Sequence, residues 1–167
     1  MSKTDNWLLH DHSHLEDMLV RCQEAVETPD WADVERTFDG LVSQLKIHMA
    51  LEEEVLFPAY ESASHAPQGP TGALREEHSD IVLLFRYLAR TIRTREPDPV
   101  LDALEVLENR LLKHHEKEED IFLPMAGFIL RDSREELTRK LEEFDGSRIL
   151  REWDVERLSP GTADSTP

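Results

Sequence analysis

The chain has one cysteine, Cys22, among 167 residues, which excludes an internal disulfide framework and any paired-cysteine zinc or redox motif. It has little positive charge, with 19 Lys and Arg against 36 Asp and Glu and a formal net charge of −17. Affinity for nucleic acid comes largely from neutralising phosphates, and an anionic membrane surface repels a chain of this sign, so neither is an expected partner. No run approaches the roughly 18 apolar residues that a membrane-spanning helix needs, and the first six residues, MSKTDN, have no apolar leader character. The expected location is the cytoplasm. Strand-type alternation is missing as well, and aromatics are only 7%. What is present is eight histidines in an otherwise acidic chain.

The apolar spacing is helical throughout. It predicts a first helix over about 5–27, stopping at Thr28-Pro29-Asp30, and a second from Trp31 to about Tyr60 with Asp30 as its cap. Pro58 should end or kink the second helix. Residues 62–71, SASHAPQGPT, have loop chemistry. A third helix follows over about 72–95. A fourth is expected from Pro99 to Pro124, capped by Asp98. Ser133 and Glu136 form a capping-box pattern for a shorter fifth helix. Beyond Gly146 the composition predicts loose structure, ending in the disorder-type tail SPGTADSTP. Ile149, Leu150 and Trp153 would share one side of a helix over 147–158, suited to packing on the rest of the chain or on a second copy in a homo-oligomer. The fold class is all-α, with a division into residues 1–130 and a C-terminal helix and tail over 131–167.

An internal repeat with an offset of 66 residues relates the first two helices to the next two. Leu8, His12, Leu15, Leu19, Cys22 and Val26 follow the alternating four-three spacing of a bundle seam, and adding 66 gives Leu74, His78, Ile81, Phe85, Leu88 and Ile92. Phe38, Leu41, Leu45, His48, Glu52 and Leu56 map in the same way onto Leu104, Leu107, Leu111, His114, Glu118 and Phe122.

Six polar residues thus stand where the seam calls for apolar ones: His12, His48, Glu52, His78, His114 and Glu118. A single inward histidine is ordinary core chemistry. Six intrusions in a repeated arrangement are not, because a buried carboxylate costs several kcal/mol unless it is paired or holds a metal. His48 and Glu52, like His114 and Glu118, lie four apart and project from one helix face about 6 Å apart along the axis. In an antiparallel hairpin, His12 with His48 centres on residue 30 and His78 with His114 on residue 96, both at predicted turns, so the six side chains sit at matching heights. Four imidazoles with two carboxylates suit iron, manganese or zinc, and they are too many donors for one tetrahedral zinc. They suit two octahedral ions with positions left open for a small molecule. No glutamate lies three before a histidine, which disfavours the Glu-x-x-His pairs of ferritin-type di-iron bundles.

The blocks HMALEEEVLFP and HHEKEEDIFLP, with Asp11-His12 and Glu77-His78 upstream, resemble the hemerythrin-like (HHE cation-binding) family over roughly residues 5–125. The resemblance implies an up-down-up-down four-helix bundle. It also implies a non-haem di-iron site with an oxo or hydroxo bridge, held by His12, His48, Glu52, His78, His114 and Glu118, the glutamates bridging. The implied chemistry is binding of, or reaction with, dioxygen, peroxide or nitric oxide. Two alternatives stay open beside it: a peroxide-decomposing oxidoreductase, and a zinc- or manganese-bearing structural or partner-binding module. The chain departs from the oxygen carriers of that family at Val82, where they have a second histidine on the third helix. They also use His-x4-Asp on the fourth helix. His115-x4-Asp120 has that spacing and competes with His114-x3-Glu118, while the repeat and the seam favour His114 and Glu118. His10 and His14 point to other helix faces than His12, and His65 falls in a loop. Glu53, Glu54, Glu116 and Glu119 read as a solvated face.

Overall fold

The computed structural model describes residues 3–28, 30–65 and 69–151, with side chains from residue 10 onward. Among these the protein is all-helical, as the periodicity predicts. Helix α1 covers Lys3–Glu27 and α2 covers Trp31–Leu51. Asp30 caps α2 as expected: it is extended, at φ −96° and ψ 102°, and its side chain accepts the Ala32 N–H at 3.1 Å.

The second helix does not stop at Pro58. It widens into a π turn over Glu52–Leu56, with the Phe57 N–H bonding back five residues to the Glu52 carbonyl, and continues as α3 over Phe57–Ser64. The second half does the same, with α5 over Pro97–Lys117, a π turn over Glu118–Phe122 and α6 over Leu123–Ile129. The physical reason lies in the prolines. The slip of one bond register puts Pro58 and Pro124 in the first turn of the following segment, where a missing N–H leaves nothing unpaired. Between the halves, α4 covers Pro70–Ile92, starting two residues earlier than the spacing predicts because Pro70 fits the first helical turn. The α5 cap is likewise Glu96 rather than Asp98; Pro97 opens the helix and Asp98 lies in its first turn.

Helix α1 packs on α2 and on α5, α4 packs on α5, and α2 touches α4. The buried seam residues are those of the repeat, including Leu15, Leu19, Cys22, Val26, Phe38, Leu41 and Leu45 from the first half. Ile81, Phe85, Leu88, Ile92, Leu104, Leu107 and Leu111 supply the second. They form one apolar cluster. A second cluster holds Leu56, Phe57, Tyr60, Leu74, Phe122, Leu123, Ala126 and Leu130, closed by Leu137 of α7, which covers Arg134–Glu142. The layer of polar seam residues falls between the two clusters. The expected capping box at α7 does not form: Ser133 makes no side-chain cap, and Glu136 pairs with Lys140 at 2.9 Å. Residues 146–151 are helical. Trp153 and the tail expectation lie outside the described residues, as does the side chain of Leu8. Among the described residues, no helix is long and apolar enough to cross a membrane.

Candidate metal centre

All six seam residues converge. His12, His48, His78, His114, Glu52 and Glu118 are buried, the two glutamates completely. His12 Nε2 and His114 Nε2 each lie 3.2 Å from the Glu118 carboxylate, one at each oxygen. Glu52 Oε2 lies 3.3 Å from His78 Nε2 and 3.6 Å from His48 Nε2. Each carboxylate therefore stands between imidazoles of both halves of the chain.

A seventh residue joins them. His115 is buried, and its ring stacks on His12 with centroids 3.9 Å apart and planes 7° apart. His114 and His115 are thus not alternatives. The π turn that starts at Glu118 follows directly, and adjacent α5 residues aim at neighbouring parts of the same chamber. Asp120 is exposed and takes no part. The sequence signal for His115 was its His-x4-Asp spacing; the carboxylate that the fold places beside it is Glu118 rather than Asp120. His10, His14 and His65 are exposed and stand outside the cluster.

The donor atoms form two groups, each within 4.8 Å: His12, His48, His115 and Glu118, and Glu52, His78, His114 and Glu118. Glu118 belongs to both. Both Glu52 oxygens, and both ring nitrogens of His115, form no hydrogen bond inside the protein. Buried groups of this kind are nearly always satisfied, so their orphaned state in a dry layer is what a bound cation would relieve. Seven imidazole and carboxylate side chains in two overlapping groups fit a pair of cations.

The outer partners repeat the 66-residue symmetry. Asp11 takes the His48 Nδ1–H at 2.8 Å, and its counterpart Glu77 takes the His114 Nδ1–H at 3.0 Å. Glu53 meets His78 Nδ1 at 2.7 Å, and its counterpart Glu119 meets His12 Nδ1 at 2.7 Å. Glu53 and Glu119, expected on a solvated face, are half-exposed and do carry this role. Such contacts fix which ring nitrogen faces inward, leaving Nε2 of each imidazole toward the centre. His115 stands without a partner of this kind.

The electrostatics match two anions sharing one dry chamber. Burial and the neighbouring Glu118 carboxylate push Glu52 well above the ordinary carboxylate range. Burial opposes ionisation of Glu118 too, but His114 and His12 outweigh it and hold its carboxyl well below that range. Burial, reinforced by His12 and His48, drops His115 to about 2, so its imidazole is neutral and available as a donor.

With this geometry in place, the comparison with protein families is decisive. Residues 4–126 match the hemerythrin HHE cation-binding domain. The chain belongs to that family. Neither the comparison with curated proteins nor that with solved structures gives a match. Cation binding is the property that the family name carries, and the buried His/Glu groups of this member suit it.

Proposed function

We propose that this hemerythrin-family chain is an up-down-up-down four-helix bundle that holds two non-haem iron ions and uses them to bind or react with dioxygen or a reduced oxygen species. In this reading one ion is held by His12, His48 and His115, the other by His78 and His114. Glu118 and Glu52 would complete the protein's share of the donors. Iron supplies one-electron redox chemistry and open coordination positions for a small ligand such as dioxygen, peroxide or nitric oxide.

The observation that carries the reading is the sharing of Glu118 between the two donor groups. A single structural zinc needs four donors and a closed shell; seven donors in two overlapping groups exceed that. The protein's own contribution is positional. Asp11, Glu77, Glu53 and Glu119 hold the imidazoles in one orientation. The apolar clusters on either side keep bulk water from the layer.

Metal analysis after anaerobic loading with ferrous iron tests this. The expected result is two irons per chain and a visible spectrum that changes between reduced and oxidised protein. His48→Ala should lose metal, while His65→Ala, altering an exposed residue, should keep it. One zinc and no iron per chain, or equal metal retention in both variants, would overturn the proposal.

A further inference from the structure

The 66-residue repeat leaves one face of the second half without the cover that the first half has. Ile121, Met125 and Phe128 follow the four-three spacing of a helix stripe, and all are exposed, Phe128 by 74%. Subtracting 66 gives Val55, Ala59 and Ser62. The chain covers that face itself: α7 packs on the first π turn, and its Leu137 shares a groove with Val55, Ala59 and Ser62. Val55 and Ala59 are thereby partly buried. Among the described residues no helix does the same for α6, although its stripe carries the larger apolar side chains. Nor does α1 reach it. Glu119 turns toward α1 to meet His12, and Ile121 lies roughly 200° further round the helix.

The charges at the two ends of the stripe complement one another. Lys117 and Asp120 lie at the Ile121 end, Arg131 and Asp132 at the Phe128 end, and all four are exposed. Residues 117 and 132, like 120 and 131, are centred within one residue of Met125. An antiparallel pair of these segments, with Met125 on the two-fold axis, therefore sets Lys117 level with Asp132 of the second copy and Asp120 level with its Arg131. The axis repeats both pairs. A parallel pair would set like charges together instead. A chain of net charge −17 repels its own copies, so a face on which two can meet needs balanced charge, and this one carries two cations and two anions. The Arg131 guanidinium also lies over the Phe128 ring, 5.8 Å from its centre, which joins the charged end to the stripe.

We propose that the Ile121–Met125–Phe128 face is where two copies of this chain pair, antiparallel, each giving the other's α6 the cover that α7 gives the first half. Phe128 is the anchor, and Asp120 and Arg131 set the direction of the pair. Three apolar side chains with a charged rim bury less than the roughly 800 Å² per partner of a standard interface, so the dimer is of micromolar strength. The pairing is independent of the two-ion reading above.

Sedimentation velocity of the full chain over roughly 1–200 μM, the range that a small interface calls for, tests this. The unaltered protein should pass from monomer to dimer across that range. Phe128→Ser should weaken the dimer by at least about tenfold. Asp120→Arg and Arg131→Asp should each weaken it by about tenfold, and the two together should restore it, because each new arginine then faces a new aspartate. Asp120 and Arg131 stand about 16 Å apart along the chain's own helix, so that rescue requires a second copy. A monomer throughout the range would give the stripe to another occupant, residues 152–167 or a different protein, and overturn the proposal. A dimer unmoved by Phe128→Ser would place the contact elsewhere and overturn it as well. Failure of the double variant to recover would overturn the antiparallel arrangement. Should Phe128→Ser fail to fold, the charge pair still decides.

Discussion

His115 lies flat against His12, ring planes 7° apart, and is the one imidazole of the centre without a carboxylate behind it. The other four are each held at Nδ1 by a carboxylate from another helical segment. The chain thus builds four of its imidazoles by a strict two-fold rule and adds a fifth outside it. In the metal-free protein this fifth ring is the strained member: it is buried, unpartnered and pressed against a histidine that its neighbours favour in the protonated state. Burial opposes that proton on His12, but Glu118 and Glu119 outweigh it.

The first consequence is a pH dependence of the metal-free protein. His115 falls from 6.5 in the unfolded chain to about 2 in the fold, because burial disfavours the imidazolium. Between those values the unfolded chain binds a proton that the fold excludes. Its contribution to stability is therefore intact above about pH 6.5 and lost as pH falls, by about 1.4 kcal/mol per unit. His115→Leu removes that penalty. Thermal melts of the chelated proteins should show the variant gaining on the unaltered chain from pH 7 to pH 5; parallel curves would refute the burial argument.

The outer carboxylates give a second prediction. Asp11 accepts from Gln44 as well as His48, and Glu77 is paired with Lys117 as well as His114. Burial works against both carboxylates, yet their hydrogen bonds and ion pairs keep them below the ordinary range. They are therefore charged acceptors at neutral pH. Asp11→Asn and Glu77→Gln should each weaken one of the two ions about 10- to 100-fold. Chelator competition should show two-phase metal loss in each single variant, with one ion released early.

How far the sequence led is clearest at these residues. The six buried seam residues were legible because each broke a spacing that otherwise stayed apolar, and because the 66-residue offset repeated the break. Glu53 and Glu119 were not, since they reach across to the opposite half of the chain and sit among other surface acids. His115 was hidden by its neighbour. One helical register lets only one of two adjacent residues face the seam, and only the local widening at Glu118 accompanies a chamber that admits both. The π turns were masked by a general rule about proline, which holds for a regular helix interior and fails where the bonding register has already slipped.

Cys22 supplies a check on the core independent of any metal. It is buried on the seam, and burial raises its thiol to about 11. The thiolate is the reactive form, so the native protein should resist alkylation by iodoacetamide at pH 8 over hours. Unfolding in guanidinium should expose one reactive thiol per chain. Rapid modification of the folded protein would mean that the seam around Leu19 and Val26 opens readily.

The buried Glu52–Glu118 pair yields a prediction whose sign reverses with metal. Burial and Glu118 raise Glu52 well above its unfolded value of 4.5. In the metal-free fold it keeps a proton that the unfolded chain releases, so its stabilising share is present below about pH 4.5 and fades as pH rises through the folded value. Glu52→Gln supplies a neutral group of the same shape and escapes that loss. At pH 8 the chelated variant should therefore melt at or above the temperature of the chelated unaltered protein. With metal the order should invert, because a neutral amide is a poorer ligand for a cation than a carboxylate and the ligand-linked stabilisation, about 2.7 kcal/mol at a hundredfold excess over Kd, would be forfeited. Melting both proteins with and without ferrous iron tests the two halves at once. A variant less stable in both states would indicate that Glu52 serves packing rather than a cation.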